Sequence, residues 1–375
     1  MEDFKVEAVR SRAGKYFSVL LVISTLTACA GFFGYSDPPL DKDWKVLRSA
    51  DPEQEAVTVR FSGTSTLLFS DGETTWMTDG WFSRPGGFSL IFDRVKPDED
   101  AIKDGLAFNG VETMAAVIPL HSHYDHAMDT AAVAQLTGAT IYGDQTTRNI
   151  CDGSKLKGEP GFTFEYVKDN NPLVLEGFKI TFIESGHYIY ESDYMVKKLI
   201  DTPAEDKTLE TPASPFAYKQ GEVWLLYVEH KLGSFMVVGS AGYKPGQLEE
   251  LTRDWPEEKR VDVLFLGIGG LGAKNDGYRK AFWNETVLPV RPRVIVPIHW
   301  DSLTSPIDDE LKGTSRVLSL ITGGEEATLE FLKDRQCTVP GLSYRIVRRY
   351  DPVAVLPVDG KSEPEISCPN TAQES

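Results

Sequence analysis

Apolar and β-branched residues fall in short runs along this chain. From Ala56 onward the runs AVTVRF, TLLFS, TTWMTD, MAAVIPL, TIYG, FTFEYV and FKITFIES recur between polar stretches. Their length and their content of Val, Ile, Thr and aromatic residues predict strands. The clearest helical pattern in this half is AMDTAAVAQLTG, directly after His126, with Gly138 placed as a C-cap. The second half opens with EVWLLYVEHKLGSFMVVGS, a predicted hairpin turning around residues 231–233. Helices are then predicted over 245–253, 278–287 and 308–321, with the buried strands VDVLFLGI and RVIVPIH between them. Each half therefore runs strands first, then helices and crossover strands. That order favours two facing sheets with helices outside, a layered α/β architecture. A polar tail, 351–375, is expected to be flexible.

The N-terminus departs from this pattern. MEDFKVEAVRSRAGK carries Lys5, Arg10, Arg12 and Lys15 and precedes the apolar run YFSVLLVISTLTA. A basic region, a short apolar core and small residues make a secretory signal, and the run is too short for a transmembrane helix. It ends in LTAC, which resembles the lipobox of bacterial lipoproteins. The resemblance implies cleavage of a signal peptide, 1–28, and lipidation of Cys29. Residues 29–54 then read as a tether, in which Pro38 and Pro39 discourage regular structure, and 55–350 as the folded domain. The expected location is the bacterial cell envelope, with the domain held to the periplasmic side of a membrane by the lipid on Cys29.

Charge narrows the partners. With 39 Lys and Arg against 56 Asp and Glu, the formal net charge is -17, which argues against nucleic acid, because the phosphate backbone rewards basic surfaces. A local basic pocket for an anionic substrate stays compatible with that total. Beyond Cys29 the cysteines are Cys151, Cys337 and Cys368. An oxidising compartment permits one disulfide among them, and chain proximity favours Cys337 with Cys368.

The candidate chemistry concentrates in VIPLHSHYDHAMD, residues 117–129, which holds three of the six histidines. His121 and His123 alternate at a strand end, so both imidazoles face one side. Asp125 and His126 follow where the chain bends into a helix. Neutral imidazole and carboxylate are the usual zinc donors. His187 and His299 each lie just past an apolar β-run, as His121 does, and strands of one sandwich end at a common edge. His230 sits inside the hairpin and reads as structural.

HSHYDH resembles the HxHxDH signature of the metallo-β-lactamase superfamily, and the later His187 and His299 fall in that family's order. The resemblance spans most of 57–302, including TDG at 78–80 and GSAGY at 239–243. It implies a four-layer αββα sandwich and a metal-dependent hydrolase. It implies a first zinc held by His121, His123 and His187 and a second by Asp125, His126 and His299, with Asp125 also orienting the nucleophile and taking up its proton. Asp79 matches an Asp that hydrogen-bonds a ligand histidine. Ser240 stands where many members have an Asp bridging the metals, which leaves one or two ions open. Some zinc β-lactamases also carry Ser there and keep two, so two are favoured here. Manganese and iron suit similar donors.

The substrate is less legible. The loop GWFSRPGGF offers Trp81 for apolar contact and Arg84 for an anionic group, and Tyr188 beside His187 could donate to a substrate oxygen. GTSTLLF, TDGWFSRPG and LFLGIGG look most like the branch containing the ascorbate phosphate lactonase and the N-acylphosphatidylethanolamine phospholipase D. That branch implies a small-molecule or lipid-like substrate with an ester, lactone or phosphodiester bond. A secreted zinc β-lactamase and a non-catalytic, lipid-anchored binding protein on the same fold are the alternatives.

Overall fold

The apolar runs form fifteen strands in the computed structural model, which describes residues 34–189, 207–316 and 324–358. The first seven are β1 (Lys45–Val46), β2 (Val57–Gly63), β3 (Thr66–Ser70), β4 (Thr75–Thr78), β5 (Ala116–Ile118), β6 (Thr140–Gly143) and β7 (Thr163–Tyr166). The others are β8 (Pro172–Leu175), β9 (Phe178–Ser185), β10 (Val223–His230), β11 (Gly233–Val238), β12 (Val263–Gly267), β13 (Val294–Ile298), β14 (Ser343–Ile346) and β15 (Val353–Leu356). One sheet has the order β15-β2-β3-β4-β5-β6-β7 and the other β1-β14-β13-β12-β11-β10-β9-β8.

The two sheets share a plan. In the first, β15, β2, β3 and β4 pair antiparallel, and β4 to β7 pair parallel. In the second, β8 to β11 pair antiparallel, and β11 to β14 pair parallel. Antiparallel neighbours need only tight turns, whereas parallel neighbours need crossovers, and these supply the helices. The facing sides of the sheets enclose one apolar core, in which Phe69 stacks on Trp76 and on Phe235 at 4.7 and 4.6 Å between ring centroids. Outside the first sheet, Leu68, Met77 and Val117 pack with Ile102, Leu106 and Val133 of helices Glu99–Phe108 and Thr130–Thr137. Outside the second, Met236, Leu264 and Leu266 pack with Phe282, Trp283, Phe331 and Leu332 of helices Asp276–Thr286 and Glu325–Gln336. This is a four-layer αββα sandwich, the architecture expected from the sequence.

Three assignments change. Residues 34–50, expected in the tether, are packed: Trp44 stacks on Tyr344 at 4.4 Å, and β1 runs parallel to β14. Two aromatic faces and a free sheet edge outweigh the local effect of Pro38 and Pro39. The expected tail begins with a strand, because Val353 to Leu356 are all buried where β15 covers the β2 edge of the first sheet. The stretch 308–315 is irregular instead of helical, since an isolated bridge ties Asp301 to Gly313 and another ties Tyr35 to Ser315, and 317–321 lie outside the described residues. Helices Glu99–Phe108 and Gln145–Ser154 were not anticipated, because their polar content masks the apolar face. Cys337 is disulfide-bonded and Cys151 is a buried free thiol. Cys29, Cys368 and the signal segment lie outside the described residues.

Strand directions decide what meets at the site. β4 and β5 run the same way, as do β9, β11 and β13. Their C-terminal ends lead to Asp79, His121, His187, Ser240 and His299.

Candidate metal centre

β5 ends in Ile118, and the chain then turns through His121 and His123 into a single helical turn, Tyr124–Ala127. His123 is extended and precedes that turn, which carries Asp125 and His126. All four side chains are buried. Two clusters result. His121, His123 and His187 form one, and Asp125, His126 and His299 the other, with the ligand atoms of each within 4.8 Å of one another. In the first, His121 Nε2 lies 3.0 Å from His123 Nδ1. In the second, His126 Nε2 lies 3.2 Å from His299 Nε2, and Asp125 Oδ2 is 3.6 and 3.5 Å from those two atoms.

These residues fit metal ions. Two of the imidazoles have their far nitrogen already committed as a donor. His126 Nδ1 bonds Asp79 Oδ2 at 2.9 Å, and His187 Nδ1 bonds the Tyr188 carbonyl at 2.9 Å. A neutral imidazole has one N–H, so the Nε2 atoms of both rings carry lone pairs that face the clusters. Lone pairs gathered this closely repel unless a cation lies among them. Burial, reinforced by the neighbouring imidazoles, holds His121 and His187 well below the ordinary histidine value, the neutral form a metal requires. Burial favours the protonated form of Asp125, but His126, His299 and His123 outweigh it and keep the carboxyl below its usual range. Burial also opposes charge on His126, and Asp79 and Asp125 reverse that, so its value rises.

Asp79 holds this arrangement from behind. Fully enclosed, it accepts the Leu120 N–H at 2.8 Å with Oδ1, and with Oδ2 it accepts the Ser65 hydroxyl at 2.7 Å and His126. It thus selects the tautomer of His126 and pins the strand end that leads to His121. Ser240 is buried, and its hydroxyl accepts the Tyr188 N–H at 3.1 Å. Its oxygen therefore serves the backbone beside His187.

No protein-family model matches the chain, and no curated protein matches it significantly. Among solved structures, it is similar to a possible metal-dependent hydrolase from Veillonella parvula, at 13% identity over 80% of this chain and 100% of that one, with a TM-score of 0.47. It is also similar to Igni18, a metallo hydrolase from Ignicoccus hospitalis, at 15% identity over 80% and 97%, with a TM-score of 0.45. A third is YhfI, a metallo-β-lactamase fold protein from Bacillus subtilis, at 15% identity over 80% and 98%, with a TM-score of 0.43. Scores this low leave the chemistry to the residues themselves.

The residues offered for substrate contact are placed differently from one another. Trp81 is fully buried and packs edge-on to Tyr124 at 6.0 Å, so it is part of the wall behind the short helix. Arg84 is also buried: Nη1 pairs with Asp301 Oδ2 at 3.0 Å and donates to the Ser302 carbonyl at 2.8 Å. With its charge met by a buried carboxylate, Arg84 is not offered to an anionic substrate, which corrects the sequence expectation. Tyr188 is half-buried next to His187, with the Lys274 ammonium 4.4 Å from its ring centre. Lys274 also donates to the Ile189 carbonyl. His230 bonds Asp71 at 3.4 Å and accepts the Leu232 N–H at 3.2 Å, a structural role that links its hairpin to the turn after β3.

Sequence reasoning missed Ser65, Asp129, Lys274 and Asp301. Asp301 lies two residues beyond His299 and Asp129 three beyond His126, so nearness to a ligand was the available signal.

Proposed function

We propose that this protein is a metal-dependent hydrolase that cleaves an ester, lactone or phosphodiester bond, with zinc as the metal and two ions at the site. The observation that carries this is the pairing of two three-ligand clusters whose members come from both halves of the sandwich. Ions bound there would acidify a water molecule and polarise the substrate's oxygen. His121, His123 and His187 would hold one ion, and Asp125, His126 and His299 the other. Asp125, besides holding its ion, would orient an attacking water and accept its proton. Asp79 accepts from His126 Nδ1, so the lone pair of the neutral ring sits on Nε2, and burial keeps His121 and His187 neutral. Tyr188, beside His187, is the candidate donor to a substrate oxygen. A lipid on Cys29 would hold the domain at the envelope membrane, where a small or lipid-like substrate is within reach.

The test is metal quantification joined to a panel of lactones, phosphodiesters, carboxylic esters and β-lactams on one preparation. His123→Ala and His299→Ala should each lose metal and activity together while the fold persists. Activity that survives exhaustive chelation would overturn the reading. Rapid opening of penicillins alone would favour a β-lactamase, and a metal-loaded protein inert towards the whole panel would favour a binding role.

A further inference from the structure

The second ligand cluster has a structural difficulty. His126 follows β5 of one sheet and His299 follows β13 of the other, so no shared ladder sets their separation. Two stretches join the segments instead: residues 64–65, where the Ser65 hydroxyl lies 3.2 Å from His126 Nδ1, and the 81–84 loop. At one end, the Asp129 carboxylate, fully buried, accepts the Phe82 N–H at 2.8 Å, the Ser83 N–H at 2.7 Å and the Ser83 hydroxyl at 2.7 Å. At the other end, Arg84 grips Asp301 and the Ser302 carbonyl, and both partners of the ion pair have side chains only 2% exposed. The free oxygen of Asp301 accepts the Thr64 N–H at 2.6 Å, and the Thr64 carbonyl accepts the His299 N–H at 2.7 Å.

Two further observations show how closely this tie is fitted. Gly63 has φ 106°, and a Cβ there would lie 2.4 Å from Arg84 Nη2 and 2.6 Å from Asp301 Oδ2. Thr64, Asp79, Arg84 and His299 have left-handed φ values of 56°, 57°, 39° and 57°, and among the described residues only Asn170, Arg291 and Tyr350 share that trait without glycine's freedom. Such backbones persist only where the surroundings over-determine them, and here four gather around one ligand cluster.

The geometry points to Arg84 and Asp129 as positioning residues that set the separation of His126 and His299, and so the affinity of their cluster for its metal ion. Neither is a member of either cluster. The inference rests on the reading of this cluster as a second metal site. A ligand shell tolerates displacements of about 0.2 Å, and the partners behind it commonly control affinity about 10–100-fold.

The experiment is a calorimetric zinc titration of chelator-stripped protein, with circular dichroism to confirm folding. Wild type should take up two ions. Arg84→Met and Asp129→Asn should bind the first as wild type does and the second about 10–100-fold more weakly. Arg84→Lys keeps the charge but loses the second guanidinium nitrogen, which donates to the Ser62 carbonyl at 3.4 Å, and should fall between. Since Arg84→Met alone strands a buried carboxylate, Arg84→Met/Asp301→Asn supplies a variant free of that charge, with the same selective loss expected. Rescue by Lys and loss confined to one ion are signatures that general loosening of the fold would not produce. Folded variants that bind both ions as wild type does, or that weaken both equally, would overturn the inference alone. A wild type that takes up a single ion would overturn the two-metal reading and this inference with it.

Discussion

Asp79→Asn exchanges one oxygen for an amide nitrogen in a fully enclosed side chain. The asparagine carbonyl can keep the Leu120 N–H, now held at 2.8 Å. The amide then faces Ser65 and His126 as a donor where the carboxylate was an acceptor. The Ser65 hydroxyl can turn and accept. His126 Nδ1 can accept only if its proton moves to Nε2, the atom 3.2 Å from His299 Nε2. Either that nitrogen stops being a ligand, or two donors are left facing each other. One charge-assisted hydrogen bond is lost, which costs about 1–3 kcal/mol, against about 5–15 kcal/mol for a typical fold. The protein should therefore fold. The loss in affinity for the second ion should be about 10–100-fold, equivalent to about 1.4–2.8 kcal/mol. Urea unfolding of the metal-free protein and zinc titration of the folded protein measure the two quantities separately. A variant that binds both ions at native affinity would refute the argument that Asp79 selects the His126 tautomer.

Two other outcomes follow from buried groups. Burial pushes the Asp129 carboxyl up to about 6 from an ordinary 3.8, despite its three donors. A raised folded value means that the folded chain binds the extra proton, so stability falls as pH rises through that window. From pH 4 to 7, urea unfolding should shift in favour of Asp129→Asn relative to wild type by about 2 kcal/mol, and parallel curves would refute it. Trp44→Ala should cost about 2–3 kcal/mol by removing the stack on Tyr344, measured by the same unfolding assay. A change below about 0.5 kcal/mol would mean that the 34–50 segment is a tether after all.

The strands were legible because sheets covered on both faces need short runs of β-branched and aromatic residues, which a short window can display. So were the helix ended by Gly138, which has φ 73°, and the hairpin between β10 and β11. Helix Gln145–Ser154 was not, since its buried face is made largely of Thr, Asn, Cys and Ser, which read as polar in sequence. Within the site, the spacing of HSHYDH announced four ligands, because residues so close in the chain cannot lie far apart in space. The part of Arg84 was invisible for the opposite reason. Its partner Asp301 is 217 positions away, and a lone Arg in a Gly- and Pro-containing loop looks the same whether it faces solvent or a buried carboxylate.

Local order along the chain by itself determined the α/β layering and the donor set of the candidate metal centre. Both depend on periodicity and on residue type, which short stretches of the chain display. The grouping of those donors into two clusters was implied by the resemblance, and the tertiary structure alone decided that the histidine Asp79 bonds is His126, that Ser240 serves the backbone beside His187, and that Arg84 is a tie between ligand segments. Those outcomes depend on distances between segments remote in sequence, and such distances exist only once both sheets have packed on their common core.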